Sequence, residues 1–567
     1  MKTVGEVTLK RGLFRIKASP HVMMKLKRVF SRVSQKLSEL VITDTPEVRR
    51  DLEWCLTRYP LSCSRATRQA IRDGAREYDA QGELVRKIVL GGVEHAFELA
   101  VPARDYQKVA AELCYRSSEG GLLLADEMGV GKTASAIALM SMPGMTPALV
   151  ATLAGRMPKQ WEAEINRFAP NLRTHILKSS TPYDLGKIRR GKNGPEAWQP
   201  DVIITSYHKL SGWRNHFAGK IKLMVGDEIQ KLKGENAMSR AWDHIAEGAK
   251  RRKGLSGTPI HNLGSEMYPV MERIAPGALG EKHEFLQEWC SAEDRRGRAS
   301  LRDPAAFGTY LRDRGLMLRR TRKDVGRELP GGLTKVLHYV EWDEKKIDEI
   351  RRPAAELARL ILSSDKLSRD ERRDAGREFS MMLRQATGLA KAIETADFVK
   401  LAVESGERVL LYGWHHSVYK LWAERLKDYD PAWFTGAETD SQKNKGWERF
   451  MDGGTNILVM SLRAGAGLDG LQKVCKTVVF GELDWSPAVH EQCVTRVFRD
   501  GQTEPVFAYY ILCDDGADPV MVDVLGGKRA QLEGVRDPLG GFLEELDTGG
   551  DHVKRLAESF LRKVEAA

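Results

Sequence analysis

The chain has 567 residues, 42% hydrophobic and 29% charged, which permits buried cores and, at roughly 100–200 residues per domain, three or four domains. No stretch nears the ~18 consecutive apolar residues of a membrane span, and MKTVGEVTLKRGLFRIKA at the start carries no apolar secretory core, so neither a membrane partner nor export is expected. The net charge of +11 points instead toward a polyanion, and seven cysteines without a CxxC pair read as reduced intracellular thiols rather than disulfides or a zinc site.

Residues 1–95 alternate short strand-like and helix-like runs: GLFRIKA (12–18), HVMMKLKRVFSRV (21–33), LVIT (40–43) and PEVRRDLEWCLTRY (46–59). They predict a small α+β accessory module. Within residues 1–75 stand 16 Lys+Arg against 7 Asp+Glu, so most of the chain's excess charge lies where it can meet phosphate. From 96 to 330, the apolar runs GLLLAD, ALVATL, DVIITSY, KLMVGDE and KGLSGTP alternate with helical patterns. That rhythm predicts a parallel sheet covered by helices. Residues 331–400 are charged and helical in pattern and read as a connector. A second alternating block, RVLLYGW, NILVMSL, KTVVFGELD and VFAYYIL, fills 401–540, and a short helical tail follows from 541 to 567. The expected fold class is α/β, with two tandem RecA-like lobes behind the amino-terminal module.

GLLLADEMGVGKTASAIAL sets a buried strand, a glycine-rich turn and a helix in the order a phosphate-binding loop requires. Gly129 and Gly131 let backbone N–H groups close on phosphate oxygens at a helix amino-terminus. Lys132 is expected to neutralise the β- and γ-phosphates and Thr133 to hold magnesium. Asp126 occupies the first glycine position of the usual G-x-x-x-x-G-K-[ST] pattern. Downstream, KLMVGDEIQ ends an apolar strand on a carboxylate pair. Asp227 is assigned to Mg2+ and its waters, and Glu228 to polarising the attacking water.

The order of the further motifs resembles the Swi/Snf-type ATPases of helicase superfamily two, over roughly residues 100–530. DEMGVGKT is similar to that family's first motif, and ARDYQKVA supplies Gln107 in the place of its adenine-reading glutamine. GLSGTPIHN (254–262) resembles motif III, in which Ser256 and Thr258 would couple nucleotide state to nucleic-acid grip. LMLRRTRKDVGRELP (316–330) is similar to the stretch that closes the first lobe. LVMSLRAGAGLDGL resembles motif V, with Asp469 as its coupling residue. WSPAVHEQCVTRVFRDGQTEPVFAYYIL resembles motif VI, setting Gln492, Arg496, Arg499, Gly501 and Gln502 on the family's spacing. Three residues apart, Arg496 and Arg499 would share a helix face if the segment is helical, and would act as arginine fingers on the γ-phosphate. LRQATGLAKAIETADFVKL and FGELDWSP narrow the resemblance to the annealing-helicase branch with HARP modules, which residues 12–59 match in outline.

The sequence departs from that pattern in places. Motif II reads DEIQ, with Gln230 bridging by hydrogen bonds. Motif VI has Phe498 where histidine is usual and Asp500 where an apolar residue is usual. Lys443 stands in for a customary arginine. The resemblance implies ATP and Mg2+ as cofactors and double-stranded or forked DNA as partner. Motion would be sequence-independent, with Lys159, Thr205, Ser206, Ser461 and Arg463 as backbone contacts. The rival readings are a strand-separating or RNA-directed helicase, and a non-hydrolysing DNA-binding adaptor. A monomeric bacterial or bacteriophage protein of the cytoplasm is expected, or a nuclear one if eukaryotic.

Overall fold

A computed structural model of the chain describes residues 3–33, 38–91, 97–191, 194–257, 264–291, 299–362, 369–463, 468, 470–525 and 552–566. The chain divides into two compact units, the first running to Thr321 and the second beginning at Arg322.

The first unit opens with a four-stranded sheet in the order Leu40–Thr43, Leu13–Ala18, Gly5–Lys10, Leu61–Ser62. The central hairpin turns through Arg11 and Gly12, both left-handed (φ 50° and 74°), as a two-residue loop between right-twisted strands demands. Alternation then buries Val7, Phe14, Ile16, Leu40 and Ile42 against helices Pro20–Val29 and Pro46–Arg58. A charged knot docks this module on the rest of the unit. Glu47 accepts from Arg32 at 3.0 Å and from the Tyr310 hydroxyl at 3.1 Å, and Arg314 lies 3.5 Å away. Arg32 also reaches Glu288 at 3.2 Å. Part of the module's basic charge is therefore spent internally.

A 25-residue helix, Arg65–Val89, leads to the main sheet. Its seven described strands run in the order Met317–Leu318, Gly121–Leu124, Arg251–Leu255, Leu223–Asp227, Ala148–Thr152, Val202–Ser206, Thr174–Ile176, every pair parallel. Period-2 alternation sends Leu122, Leu124, Val150, Ile204 and Val225 to one face and Leu123, Leu149, Ala151, Ile203 and Met224 to the other. Both faces are covered, which is why these strands read as unbroken apolar runs.

The second unit repeats the plan with six parallel strands: Leu333–Tyr339, Val506–Leu512, Thr477–Phe480, Val409–Gly413, Ile457–Ser461, Ala432–Phe434. One expectation is corrected here. The stretch 331–400 is no mere connector: Leu333–Tyr339 is the edge strand of this sheet, and helices Glu344–Leu362 and Arg369–Ala390 bury Ile347, Ala354, Phe379 and Leu383 in its core. The carboxy-terminal helix His552–Ala566 packs here too, because Leu556, Ala557 and Phe560 enter the same core. No helix among the described residues is long and apolar enough to cross a membrane.

Candidate nucleotide site

The phosphate loop lies between strand Gly121–Leu124 and helix Lys132–Met140, with Gly131 as the residue that opens the helix. Gly131 is left-handed (φ 95°), and a Cβ there would stand 2.3 Å from Gln107 Nε2. Both strain and space therefore require glycine. Gln107 begins helix Asp105–Arg116, where its Oε1 accepts from Arg104 N at 3.0 Å. Its Nε2 donates to the carbonyls of Val130 (3.3 Å) and Gly131 (3.4 Å). The expected adenine reader is thus buried and spends its amide on closing the loop.

Lys132 Nζ donates to the loop carbonyls of Asp126 (2.8 Å) and Glu127 (3.3 Å). Burial pushes its ammonium down to about 8, while Asp126 and Glu228 pull it partly back. Thr133 follows at the second helical position, half-buried. Asp126, expected to touch nucleotide, does something else. Its carboxylate is 1% exposed and takes a two-armed grip from Arg320, 2.5 Å from Nη2 and 3.1 Å from Nε. Arg320 also donates to the Tyr106 carbonyl and lies over that ring, 5.2 Å from its centre. Arg319 Nη1 holds the Ala125 carbonyl at 2.8 Å. Asp126 is thus a foundation of the loop.

Two strands away from the strand that leads into the loop, with Arg251–Leu255 between, Leu223–Asp227 ends on the carboxylate pair. Asp227 Oδ2 accepts from Thr152 Oγ1 (2.8 Å) and Trp161 Nε1 (2.9 Å), and the carboxylate also meets the Glu228 backbone N–H. Glu228 stands in the left-handed region (φ 56°), strained for a side chain of its kind. Gln230 Nε2 donates to Glu228 Oε2, while Gln230 Oε1 is buried without a partner. Burial raises both carboxyls, and Glu228 is raised further by its neighbour Asp227. A carboxylate pair, a buried amide oxygen without a partner among the described residues and the helix amino-terminus at Lys132 fit a hydrated divalent cation and a phosphate chain.

The sequence reading missed the supports of this pair, Thr152, Trp161 and Tyr207, whose hydroxyl holds the Asp227 carbonyl at 2.8 Å. It also missed Lys253, an interior lysine in strand Arg251–Leu255. Its Nζ joins the Ala110 carbonyl (3.2 Å) to the Ser135 carbonyl (3.0 Å), tying helix Asp105–Arg116 to helix Lys132–Met140. It had no distinct local signal, since Arg251 and Arg252 precede it in the same strand. Ser256 is buried and continues the strand by donating to the Leu124 carbonyl at 3.1 Å. Thr258 lies outside the described residues, as does Asp469.

In the second unit, helix Pro487–Val494 carries Gln492 on its last turn and ends before either arginine. Arg496 and Arg499 lie in the turns that follow, so they do not share a helix face. Arg496 Nε is buried without a hydrogen-bond partner among the described residues. Gly501 is left-handed, and Gln502 braces the loop, donating to the carbonyls of Cys475 (3.0 Å) and Val497 (3.4 Å).

The expected DNA contacts divide. Lys159 is exposed near the start of helix Met157–Phe168, and Ser461 is half-buried at a strand end. Arg463 pairs with Asp484 at 2.8 Å and lies over Trp414. Thr205 and Ser206 are buried at the end of strand Val202–Ser206, and Thr205 donates its hydroxyl to the Ser206 carbonyl at 3.3 Å.

Residues 75–396 match the SNF2-related domain family. Among curated proteins, the chain is 26% identical over 413 residues to the SWI/SNF-related matrix-associated actin-dependent regulator of chromatin subfamily A-like protein 1 of Xenopus tropicalis, covering 71% of this chain and 42% of that one. It is 26% identical over 472 residues to the DNA annealing helicase and endonuclease ZRANB3 of Bos taurus, covering 79% and 41%. An uncharacterized ATP-dependent helicase of Mycoplasma genitalium is 25% identical over 468 residues, covering 75% and 41%. The chain thus spans about two fifths of the length of these relatives. Among solved structures, the Sulfolobus solfataricus SWI2/SNF2 ATPase core in complex with dsDNA is 21% identical, covers 83% of this chain and 98% of that one, and has a TM-score of 0.35.

The tight packing at Gly131 gives a direct test. Gly131→Ala is expected to lower stability to denaturant by about 1–3 kcal/mol, from strained backbone and the clash with Gln107. Adding Gln107→Ala should then cost less than it does in the wild-type background, because the clash is relieved. Additive losses would contradict the contact.

Proposed function

The chain belongs to the SNF2-related domain family, and from that premise we propose that it is an ATP-driven motor that moves on double-stranded DNA and remodels or anneals forked structures without separating strands. The reading is carried by one observation: a glycine loop with Lys132 at its helix amino-terminus, in the same parallel sheet as the Asp227–Glu228 pair and separated from it by the single strand Arg251–Leu255. The names of the relatives, a chromatin regulator and a DNA annealing helicase, support DNA as the track.

In this proposal the triphosphate seats on the loop N–H groups of Gly129 and Gly131, and Lys132 exchanges its two carbonyls for β- and γ-phosphate oxygens. Thr133 and Asp227 would hold Mg2+, which neutralises phosphate charge when bound. Glu228 orients the attacking water and takes its proton. The new bond forms from that water oxygen to the γ-phosphorus, and the bridging P–O bond to the β-phosphate breaks, giving ADP and phosphate. Burial and the neighbouring Asp227 raise the proton affinity of Glu228, which suits a base. Arg496 and Arg499 spread the charge that develops on the transferred group, a contribution on the order of 10³–10⁵ in rate for such arginines. Ser256, Gln230 and Gln492 would relay the state of the site.

The DNA grip would use Lys159, Ser461 and Arg463, together with a ridge on helix Arg65–Val89. Arg65, Arg68, Arg72 and Arg76 are all exposed, and their spacing sets them along one side of the helix for about 16 Å. Duplex DNA offers roughly one charge per 1.7 Å of axis, so such a ridge faces several phosphates.

Three outcomes are expected. Duplex or forked DNA raises ATP turnover well above the DNA-free rate; Lys132→Ala abolishes it without unfolding the chain, and Arg499→Ala stops hydrolysis while ATP binding is kept. Turnover that ignores DNA, or survives Lys132→Ala, sinks the motor. Second, ATP affinity depends on pH through Lys132. The free site holds the ammonium only below about 8, whereas bound phosphate favours it, so binding takes up a proton above that pH. Affinity should fall by up to about tenfold per pH unit there, and Lys132→Arg should flatten the fall; equal slopes would deny it. Third, Arg68→Glu with Arg72→Glu should weaken duplex binding and cut the salt slope by about 2. An unchanged slope would remove the ridge from the track.

A further inference from the structure

Motif VI departs from its family pattern at two places, Phe498 and Asp500, and both meet partners from one short segment. The Arg322 guanidinium lies over the Phe498 ring, 4.7 Å from its centre, and its Nη2 donates to the Phe498 carbonyl at 2.7 Å. Arg327 Nη2 reaches Asp500 at 2.7 Å. The segment is folded to present both, because Arg327 N donates to the Arg322 carbonyl at 2.7 Å. Phe498 and Asp500 flank Arg499, so the two grips bracket an arginine of the proposed charge-spreading pair.

The same stretch of chain is fastened at its other end. Arg320 holds the buried carboxylate of Asp126, and the Arg320 carbonyl accepts from Glu127 N at 2.9 Å. Asp126 and Glu127 are also the residues whose carbonyls hold Lys132. Only Thr321 separates the arginine that grips the phosphate loop from the arginine that grips the Arg499 loop. Two peptide units span at most roughly 7 Å between Cα atoms. That limit is covalent and holds however the two units are disposed.

We propose that Arg320–Arg327 is a strap joining the phosphate loop to the arginine loop, with Arg322 and Arg327 as positioning residues for Arg499. The inference rests on the ATPase reading given above. When Lys132 exchanges the carbonyls of Asp126 and Glu127 for phosphate, the loop segment under Arg320 is released from one of its ties. The strap carries that change across Thr321 to the backbone on either side of Arg499. Phe498 and Asp500 are then the matched half of a local device rather than losses of function. A bistable element biased from both ends is what such coupling requires.

Lengthening the span while keeping every grip tests the idea. Two glycines inserted between Thr321 and Arg322 leave the Asp126, Phe498 and Asp500 contacts available within each unit. The expected result is ATP affinity within about twofold of wild type and DNA-stimulated kcat reduced at least about tenfold. A second variant tests the far anchor. The Arg327–Asp500 pair is partly exposed (24% and 39%), so exchanging it should not threaten folding. Arg327→Glu should lower kcat without raising KM for ATP, and Arg327→Glu with Asp500→Arg should restore most of the loss. Insertion kcat within twofold of wild type, or an Arg327→Glu defect that the exchange does not rescue, overturns the strap. If the wild-type chain shows no DNA-stimulated turnover, the motor reading fails and the strap falls with it; normal wild-type turnover with indifferent variants removes the strap alone.

Discussion

A carboxylate is costly to bury unless it is paired and fully hydrogen-bonded, and the site depends on how this chain meets that cost at Asp126. The group sits at the root of the phosphate loop, and the Arg320 fork answers both of its oxygens. Around that pair the loop has little freedom. Gln107 ties its far side through two carbonyls, Arg319 holds Ala125, and Lys253 clamps the helix behind it to the helix that carries Gln107. These ties fix the shape of the loop. A preformed cradle spends less binding energy on ordering, leaving more for differences between triphosphate and diphosphate.

The carboxylate pair is prepared differently. Asp227 is oriented by neutral donors, Thr152, Trp161 and the Glu228 N–H, whereas Glu228 is held in a left-handed backbone with a glutamine on its carboxylate. Neighbours in sequence, they differ in environment, which supports the proposed division of their roles. Gln230 at the fourth place of DEIQ fits this division: one end of its amide is committed and the other is unanswered.

Much of the architecture was legible because burial on both sheet faces writes uninterrupted apolar runs such as GLLL, ALVAT, VIITS and ILVMS. The strand Leu333–Tyr339 escaped notice for the opposite reason. It lies at an edge, so Lys335, Leu337 and Tyr339 are exposed, and its polar residues mimic a connector. The phosphate loop and carboxylate pair were legible from local spacing alone. What was not legible depends on partners far away in the chain. Asp126 reads as part of a nucleotide motif until Arg320, 194 residues on, is seen to hold it. Thr205 and Ser206 look like loop hydroxyls but belong to a buried strand. Arg496 and Arg499 have helical spacing, yet the chain leaves the helix at Thr495 because Gln502 folds the next turn back onto Cys475 and Val497.

We propose that one triphosphate is served by the lysine loop of the first unit and the paired arginines of the second. Hydrogen exchange of the full chain on duplex DNA, with and without ADP–beryllium fluoride, addresses it most directly. The account predicts that the analogue protects amides of 126–133 and of 495–502 together, at the same concentration. Protection of 126–133 alone, with 495–502 exchanging as in the free protein, would contradict it.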